Sequence, residues 1–330
     1  MEIINGVDRL PPQDRPMHLA LGNFDGVHRG HQVIIRKVVE ESRRNKGVSA
    51  AFIFNPHPVV ALDPDNPLVL LTDIEDRAEI MADLGLDYLI IEQFTKELAV
   101  FTPEYFIKTV LFEELKVKEI FVGENYRFGC RGSGSAATLH YWSKKLGFEV
   151  HVVPMFYHKG KEVSSSFIRS LLLTGAVKEA ADFLNYYFYR QSTVVRGLGI
   201  GKKLVYPTAN ILINPRLLWP GPGVYLTAIG KISKGLLYGV TNVGPRPTFN
   251  EYDRAVETHI IDFEDNLYNR FVRLCFLEKL RCTMTFSSPR QLKEQIDKDI
   301  AKSRILINDY KQEKNGRGNS LQAGCSVLRS

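Results

Sequence analysis

Short apolar runs alternate with amphipathic helical patterns over the first half of the chain. The apolar runs predict strands at 17–21, 50–54, 88–91, 119–122 and 150–153, and the patterns between them predict helices at 32–45, 73–84, 103–115 and 136–146. Strands that alternate with helices favour a parallel sheet with helices on both faces, so this half is predicted to be an α/β domain. Ligands bind such sheets at the carboxyl ends of the strands, where loops at 22–31, 55–58 and 123–129 are expected.

The pattern changes near residue 185. A helical region is predicted at 164–184. After it, short apolar runs separated by glycine and proline turns occur at 192–195, 224–229, 236–240, 256–261 and 270–277. This spacing predicts a small antiparallel β-barrel, which a helix from 289 to about 310 closes. We therefore predict domains at 1–186 and 187–312, and we expect the polar segment 313–330 to be a disordered tail.

Composition narrows the class of partner only slightly. The 330 residues include 43 Lys and Arg against 37 Asp and Glu, and the net charge of +6 suits small polyanions such as ATP, with nucleic acid as an alternative. The four cysteines form no Cys-x-x-Cys pair, so they predict no zinc site and are typical of reduced thiols in a cytoplasmic protein. No apolar stretch approaches the roughly 18 residues of a membrane span, and no signal peptide is expected.

The segment from Gly22 to His31 carries the clearest candidate chemistry. It follows a predicted buried strand, contains three glycines and leads into a helix. Glycines let the backbone approach a ligand closely, and a helix N-terminus presents unpaired N–H groups with a partial positive charge. His28 and His31 can both face one phosphate chain, although such a pair also occurs in ordinary polar turns or as two metal ligands. The whole pattern favours a phosphate site.

Two later segments carry compatible side chains. The loop 123–129 contains Asn125 and Arg127 among glycines and aromatic residues, and 164–169 places three serines and Arg169 at a predicted helix start. Taken alone, the first would be an ordinary surface loop and the second a capped helix. Together with Gly22–His31 they predict a nucleotide pocket, in which Arg169 pairs with phosphate oxygens through its guanidinium fork.

These segments resemble a known family. The segments 22–31, 55–58, 123–129 and 164–169 are similar, in order and spacing, to the Rossmann-like adenylyltransferase module of prokaryotic bifunctional riboflavin kinase/FAD synthetase. The segments 207–210, 242–249 and 256–263 are similar to the flavokinase module of the same family, and the resemblance covers residues 15 to 310 approximately. It implies that the second domain phosphorylates riboflavin to FMN with ATP. It also implies that the first domain adenylylates FMN with ATP, which yields FAD and pyrophosphate.

The resemblance also implies roles for particular residues. In the first domain, ATP would be bound by Gly22, Asn23, Phe24, His28, His31, Ser164, Ser165 and Arg169, and FMN by Asn55, His57, Asn125 and Arg127. His28, His31 and Arg169 would stabilise the leaving pyrophosphate. In the second domain the nucleotide would be bound by Gly197, Gly199, Gly201, Thr208 and Asn210. Thr208 and Asn210 would hold Mg²⁺, and Glu257 would accept the proton of the riboflavin hydroxyl.

The chain departs from the family pattern mainly in the segment before Pro207. Val205 stands where a glycine is usual, and Ile200 and Lys202 replace basic positions. A FAD synthetase with a weakened or inactive kinase domain is therefore an alternative to the bifunctional enzyme. Milder departures are Asn125-Tyr126 for Asp-Phe and Asn269 for a glycine.

Two further functions compete with the flavin enzyme. One is a related nucleotidyltransferase that acts on another phosphate or on a nicotinamide precursor, which the second half of the chain disfavours. The other is a basic nucleic-acid-binding protein, but its barrel would need a basic groove with stacking aromatic residues. The expected partners are thus riboflavin, FMN and ATP, with neither nucleic acid nor membrane, and the oligomeric state is left open.

Overall fold

A computed structural model describes residues 1–63, 65, 68–196, 206–232, 235–245 and 254–316. The contacts between Cα atoms divide the chain into a first unit, Met1–Ser165, and a second unit, Ser166–Ser330. The predicted glycine positions 197, 199 and 201, and the departures at 200, 202 and 205, lie outside the described residues. The same holds for 246–249 in the second family segment of the barrel.

A six-stranded sheet forms the centre of the first unit, in the order β1-β4-β3-β2-β5-β6, and all its neighbouring strands are parallel. The strands are β1 Glu2–Asn5, β2 Met17–Leu21, β3 Val48–Asn55, β4 Tyr88–Gln93, β5 Val117–Gly123 and β6 Glu149–Val153. The α/β prediction and the five predicted strands are confirmed, while β1, an edge strand, was missed. A two-stranded hairpin, β7 Tyr157–His158 with β8 Lys161–Glu162, follows.

Helices cover this sheet close to their predicted positions. They are α1 Arg29–Arg44, α2 Pro58–Leu62, α3 Ile74–Asp83, α4 Pro103–Tyr105 and α5 Ala136–Leu146, with short 3₁₀ turns at Val7–Arg9, Leu98–Val100 and Cys130–Gly132. Thr102 caps α4, since its Oγ1 accepts the Tyr105 N–H at 3.2 Å. The helix then continues as a π-helix, Phe106–Glu114. The sequence therefore predicted where the helical segment begins and ends, but not that its second part would have the wider turns of a π-helix.

A closed antiparallel barrel forms the second unit, in the order β10-β13-β12-β11-β14-β9. Its strands are β9 Tyr189–Val195, β10 Ala209–Ile211, β11 Gly223–Gly230, β12 Leu237–Pro245, β13 Arg254–Ile260 and β14 Phe271–Arg281. The barrel prediction is confirmed, although the short strand β10 was missed. Inside it, Thr241 Oγ1 lies 2.7 Å from Thr227 Oγ1 and 2.9 Å from Thr258 Oγ1, so three buried hydroxyls satisfy one another.

Three helices accompany the barrel. The region predicted as helical at 164–184 forms two helices, α6 Ser165–Thr174 and α7 Val177–Leu184, because Gly175 adopts a φ of +81° and ends the first. The Gly221 N–H donates to the carbonyl of Leu172 at 2.9 Å, which joins α6 to the barrel unit. The contacts between Cα atoms divide the chain after Ser165. The domain boundary predicted at 186/187 stays a prediction.

The last helix, α8, is longer than predicted, Pro289–Gly316 instead of ending near 310. It includes residues 313–316, which were expected to belong to a disordered tail, and residues 317–330 lie outside the described part of the chain. The helix was predicted to end where its apolar residues stop recurring at helical spacing. The observed helix continues beyond that point, so the apolar pattern did not predict its C-terminal end. An Arg281–Asp299 ion pair at 2.8 Å fixes α8 to β14.

Candidate active sites

The Gly22–His31 loop connects β2 to α1 at the carboxyl edge of the sheet. Gly26 has a φ of +80°, and Phe24 and Val27 also occupy the left-handed region at +50° and +34°. Such conformations cost free energy in residues with a Cβ, so neighbouring groups must hold them in place. The carboxylate of Asp25 does so by accepting the Leu71 N–H at 3.0 Å and the Thr72 N–H at 3.1 Å.

Two histidine rings stack at the start of α1. The centroids of His28 and His31 lie 3.6 Å apart at an interplanar angle of 17°, and the edge of Phe24 meets His31 at 5.2 Å. His28 is the N-cap, since its Nδ1 accepts the His31 N–H at 3.3 Å. In the neutral ring the proton of His28 therefore resides on Nε2, which makes that atom a donor.

His31 is a neutral group at pH 7. Burial, the neighbouring His28 and the Arg77 guanidinium together hold the pKa of His31 well below its ordinary value of 6.5. Its Nδ1 is buried and has no hydrogen-bond partner among the described residues. A buried polar atom without a partner costs free energy, so this nitrogen is available to a ligand atom.

The loops after β2 and β3 meet at one hydrogen bond. The side-chain amide of Asn23 lies 3.1 Å from Nε2 of His57, which begins α2 as its N-cap. Arg77 supports the same loop from α3 by donating to the Asn23 carbonyl at 2.9 Å. The structure thus brings together Asn23, predicted for ATP, and His57, predicted for FMN, while Asn55 ends β3 just before His57.

Ser164, Ser165 and the loop 123–129 lie in the first unit, whereas Ser166 belongs to the second. Ser165 Oγ donates to the carbonyl of Asp25 at 2.9 Å, so this hydroxyl secures the Gly22–His31 loop and offers lone pairs rather than its hydrogen. Asn125 and Arg127 are exposed in the loop after β5, the strand beside β2. Ser164 immediately precedes α6. Arg169 lies on α6 in the second unit.

A second set of polar residues lies across three barrel strands. Asn210 of β10 and Asn242 of β12 are the direct partners of Glu257 on either side in β13. Thr258 is buried inside the barrel, and neighbouring residues of a strand face opposite sides, so Glu257 points outward. Directly opposed residues share a face, which places Asn210 and Asn242 beside it. Thr208 immediately precedes β10.

The segment before β10 is held by two other elements. Tyr206 donates a short hydrogen bond to Asp297 of α8, and its ring meets that of His259 at a centroid distance of 4.9 Å. His259 Nδ1 lies 3.1 Å from the carbonyl of Pro207. The backbone leading to Thr208 is therefore anchored on both β13 and α8.

Sequence reasoning missed several residues of these sites. Asp25, Thr72 and Arg77 support the Gly22–His31 loop, and Asn242 completes the row around Glu257. Asp25 lies inside the segment Gly22–His31, but its carboxylate acts by accepting hydrogen bonds from backbone N–H groups about 46 residues away. No local sequence pattern predicts such a contact. The strand register that places Asn242 beside Glu257 is likewise set by tertiary pairing.

Comparison with known proteins identifies the enzyme family to which each unit is similar. A family profile described as FAD synthetase matches residues 10–167, and one described as riboflavin kinase matches residues 184–307. A bifunctional riboflavin kinase/FMN adenylyltransferase of Escherichia coli K12 is 31% identical over 91% of this chain and 96% of its own. The chain belongs to the bifunctional riboflavin kinase/FMN adenylyltransferase family. It contains both enzyme domains of that family.

Other members of this family are equally similar. The relative from Haemophilus influenzae is 30% identical over 93% of this chain and 100% of its own, and that from Pseudomonas fluorescens is 31% identical over 93% and 98%. A crystal structure from Streptococcus pneumoniae, described as a macrolide-efflux protein, superposes with a TM-score of 0.83 at 27% identity, covering 92% of this chain and 98% of that one. Among the described residues of this chain, no helix combines the length and apolar character that crossing a membrane requires.

Proposed function

We propose that the barrel unit transfers the γ-phosphoryl group of ATP to riboflavin and that the sheet unit joins the resulting FMN to AMP from a second ATP. The products are FMN with ADP, and FAD with pyrophosphate. The proposal includes the predicted domains 1–186 and 187–312, a cytoplasmic location, and small-molecule rather than nucleic-acid or membrane partners.

The stacked pair of histidines at the start of α1 is the observation that most supports adenylyl transfer. In this reaction the FMN phosphate attacks the α-phosphorus of ATP, and charge develops on the departing pyrophosphate. The Nε2–H of His28 and the partial positive charge at the N-terminus of α1 would stabilise that charge. Stacking and capping hold the rings in place before the substrate binds, which lowers the cost of ordering them.

The remaining predicted residues would complete this site. Gly22, Phe24 and Ser164 shape the ATP side, and Arg169 would pair with phosphate oxygens. Asn23 and His57, already hydrogen-bonded to each other, would join the ATP and FMN sides of the pocket. Asn55, Asn125 and Arg127 would contact FMN from loops at the same sheet edge.

The row Asn210–Glu257–Asn242 supports phosphoryl transfer in the barrel. Glu257 would accept the proton of the riboflavin hydroxyl as it attacks the γ-phosphorus. Mg²⁺ fits this donor set, because the Thr208 hydroxyl and the Asn210 amide are neutral oxygen ligands with a carboxylate directly across the strand pair. When bound, Mg²⁺ would neutralise phosphate charge, while Asn210 and Thr208 orient the phosphates toward Glu257.

The experiment supplies purified full-length protein with ATP, Mg²⁺ and either riboflavin or FMN, and it separates the flavins by chromatography. FMN formed from riboflavin supports the barrel reaction, and FAD formed from FMN supports the sheet reaction. FAD from FMN without any FMN from riboflavin would instead identify a FAD synthetase with an inactive kinase domain, the alternative suggested by Ile200, Lys202 and Val205. If neither product forms, the proposal is wrong.

A further inference from the structure

A second group of ionisable side chains lies at the opposite edge of the sheet. Strand register places His18 of β2 directly beside Glu119 of β5, and Glu119 directly beside Glu149 of β6. His151 stands two residues after Glu149, so it projects from the same face of β6. His18 lies four residues before Gly22, about 13 Å along the strand, so this group is separate from the loop of the candidate active site.

The ligand atoms of three of these residues converge, since one atom from each of Glu119, Glu149 and His151 lies within 4.8 Å of the other two. Nε2 of His151 lies 2.9 Å from Oε2 of Glu119 and 4.0 Å from Oε2 of Glu149, and Nδ1 of His18 lies 3.5 Å from Oε1 of Glu119. Donor atoms about 2.1 Å from one tetrahedrally coordinated ion would lie about 3.4 Å apart. The observed separations bracket that value without any change of backbone.

His18 is the observation that points to a ligand. Its side chain is completely buried, and neither ring nitrogen makes a hydrogen bond within the described part of the chain. A buried imidazole in this state, beside a carboxylate, costs free energy unless something binds it.

The ring orientations are fixed in advance. A Cβ added to Gly47 would lie 2.7 Å from Nε2 of His18, so the chain passes closely behind this ring. His151 stacks on buried Phe121 with centroids 4.5 Å apart, and Asn45 donates to Oε1 of Glu119 at 2.9 Å. These supporting contacts are of the kind that orient metal ligands.

We propose that Glu119, Glu149 and His151 form a binding site for a divalent transition-metal cation of the zinc class, beside the buried ring of His18. An imidazole with two carboxylates suits such a cation, whereas Mg²⁺ prefers an all-oxygen shell with bound waters. Two carboxylates also balance the charge of one divalent ion. The ion would tie β5 and β6 together at the amino-terminal edge of the sheet, where it would stabilise the first unit.

The test uses the full-length protein, stripped of metal by a chelator, with Zn²⁺ as the probe in competition with a chromogenic chelator. His151→Gln and Glu149→Gln alter side chains that are 40% and 63% exposed, so the fold tolerates both. His140→Gln, at an exposed histidine on α5 of the same unit, is the matched control. A His28→Asn/His31→Gln double variant separates this site from the histidines of the Gly22–His31 loop.

The proposal predicts one Zn²⁺ per chain at this group, with affinity reduced about 10- to 100-fold or more by His151→Gln and reduced by Glu149→Gln. The affinity of this ion stays unchanged in His140→Gln and in the loop double variant. Co²⁺ in its place would show d–d absorption bands that disappear in His151→Gln. Absence of stoichiometric binding, retention of it in His151→Gln, or its loss only in the loop double variant would each overturn the proposal.

Discussion

Asn210 and Glu257 face each other across the antiparallel pair β10–β13, although 47 residues separate them in the sequence. The pair places an amide beside the carboxylate proposed to accept a proton, and Asn242 flanks that carboxylate from the other side. Replacing the carboxylate while keeping its shape therefore tests the barrel chemistry directly.

For Glu257→Gln we expect the kcat of riboflavin phosphorylation to fall about 100- to 10,000-fold, because the amide cannot accept the hydroxyl proton. FAD formation from added FMN stays at the wild-type rate, since the sheet unit is unaltered. Glu264→Gln, at an exposed position of the same unit, is the matched control. Steady-state kinetics for each half-reaction make the comparison, and an undiminished kcat in Glu257→Gln would contradict the role assigned to this residue.

His28→Asn separates the two functions of His28 in the sheet unit. Asparagine is a good N-cap, so the start of α1 keeps a side-chain acceptor, but the ring with its Nε2–H is lost. We expect the rate of FAD formation to fall about 100- to 1,000-fold and the free energy of unfolding to change little. The kinase half-reaction of the same variant is the internal control, and a wild-type FAD synthetase rate would show that the ring has no part in catalysis.

The lowered pKa of His31 predicts a pH-dependent stability of the first unit. The unfolded chain binds a proton to this histidine near its ordinary pKa of 6.5, whereas the folded protein does not until the pH is well below that value. The free energy of unfolding therefore falls as the pH drops below about 6.5. The His31→Gln variant lacks the contribution of His31 to the pH dependence of the unfolding free energy. The contribution of His18, whose pKa is also lowered, remains.

Denaturant titration near pH 7.5 and about pH 5.5 tests this linkage. A Trp219→Phe background leaves Trp142 as the tryptophan that reports on the first unit. The pH effect should be smaller in His31→Gln than in the parent, and His140→Gln should match the parent. Equal pH effects in all three proteins would refute the linkage.

Asp25 supports the Gly22–His31 loop through its carboxylate. For Asp25→Ala we expect the free energy of unfolding to fall by about 2–3 kcal/mol, because the Leu71 and Thr72 N–H groups are buried and lose a charged acceptor. FAD formation should also fall, since the left-handed conformations at Phe24 and Val27 lose their anchor. Asp14→Asn, at an exposed position, should leave both quantities unchanged; a fully stable, fully active Asp25→Ala protein would exclude this anchoring role.

Local chemistry made much of this fold predictable. The apolar run 17–21, the glycines of the following loop and the helical spacing after it each act over a few residues, and all three elements formed where expected. The glycine and proline turns after residue 185 similarly predicted a closed barrel. Edge strand β1, strand β10 and the full length of α8 were missed, because short strands and helix ends depend on their packing partners more than on their own composition.

By itself, the sequence determined two domain types, their order, and the candidate residues of each reaction. Only the tertiary structure decided which of those residues meet: Asn23 with His57, Asn210 with Glu257, and His18 with Glu119. The physical reason is that strand register and long-range backbone hydrogen bonds join segments tens of residues apart, and a shift of one residue in register would turn each side chain to the other face. Chemical type can be inferred from a residue's identity, but proximity between distant residues is set by how the whole chain packs.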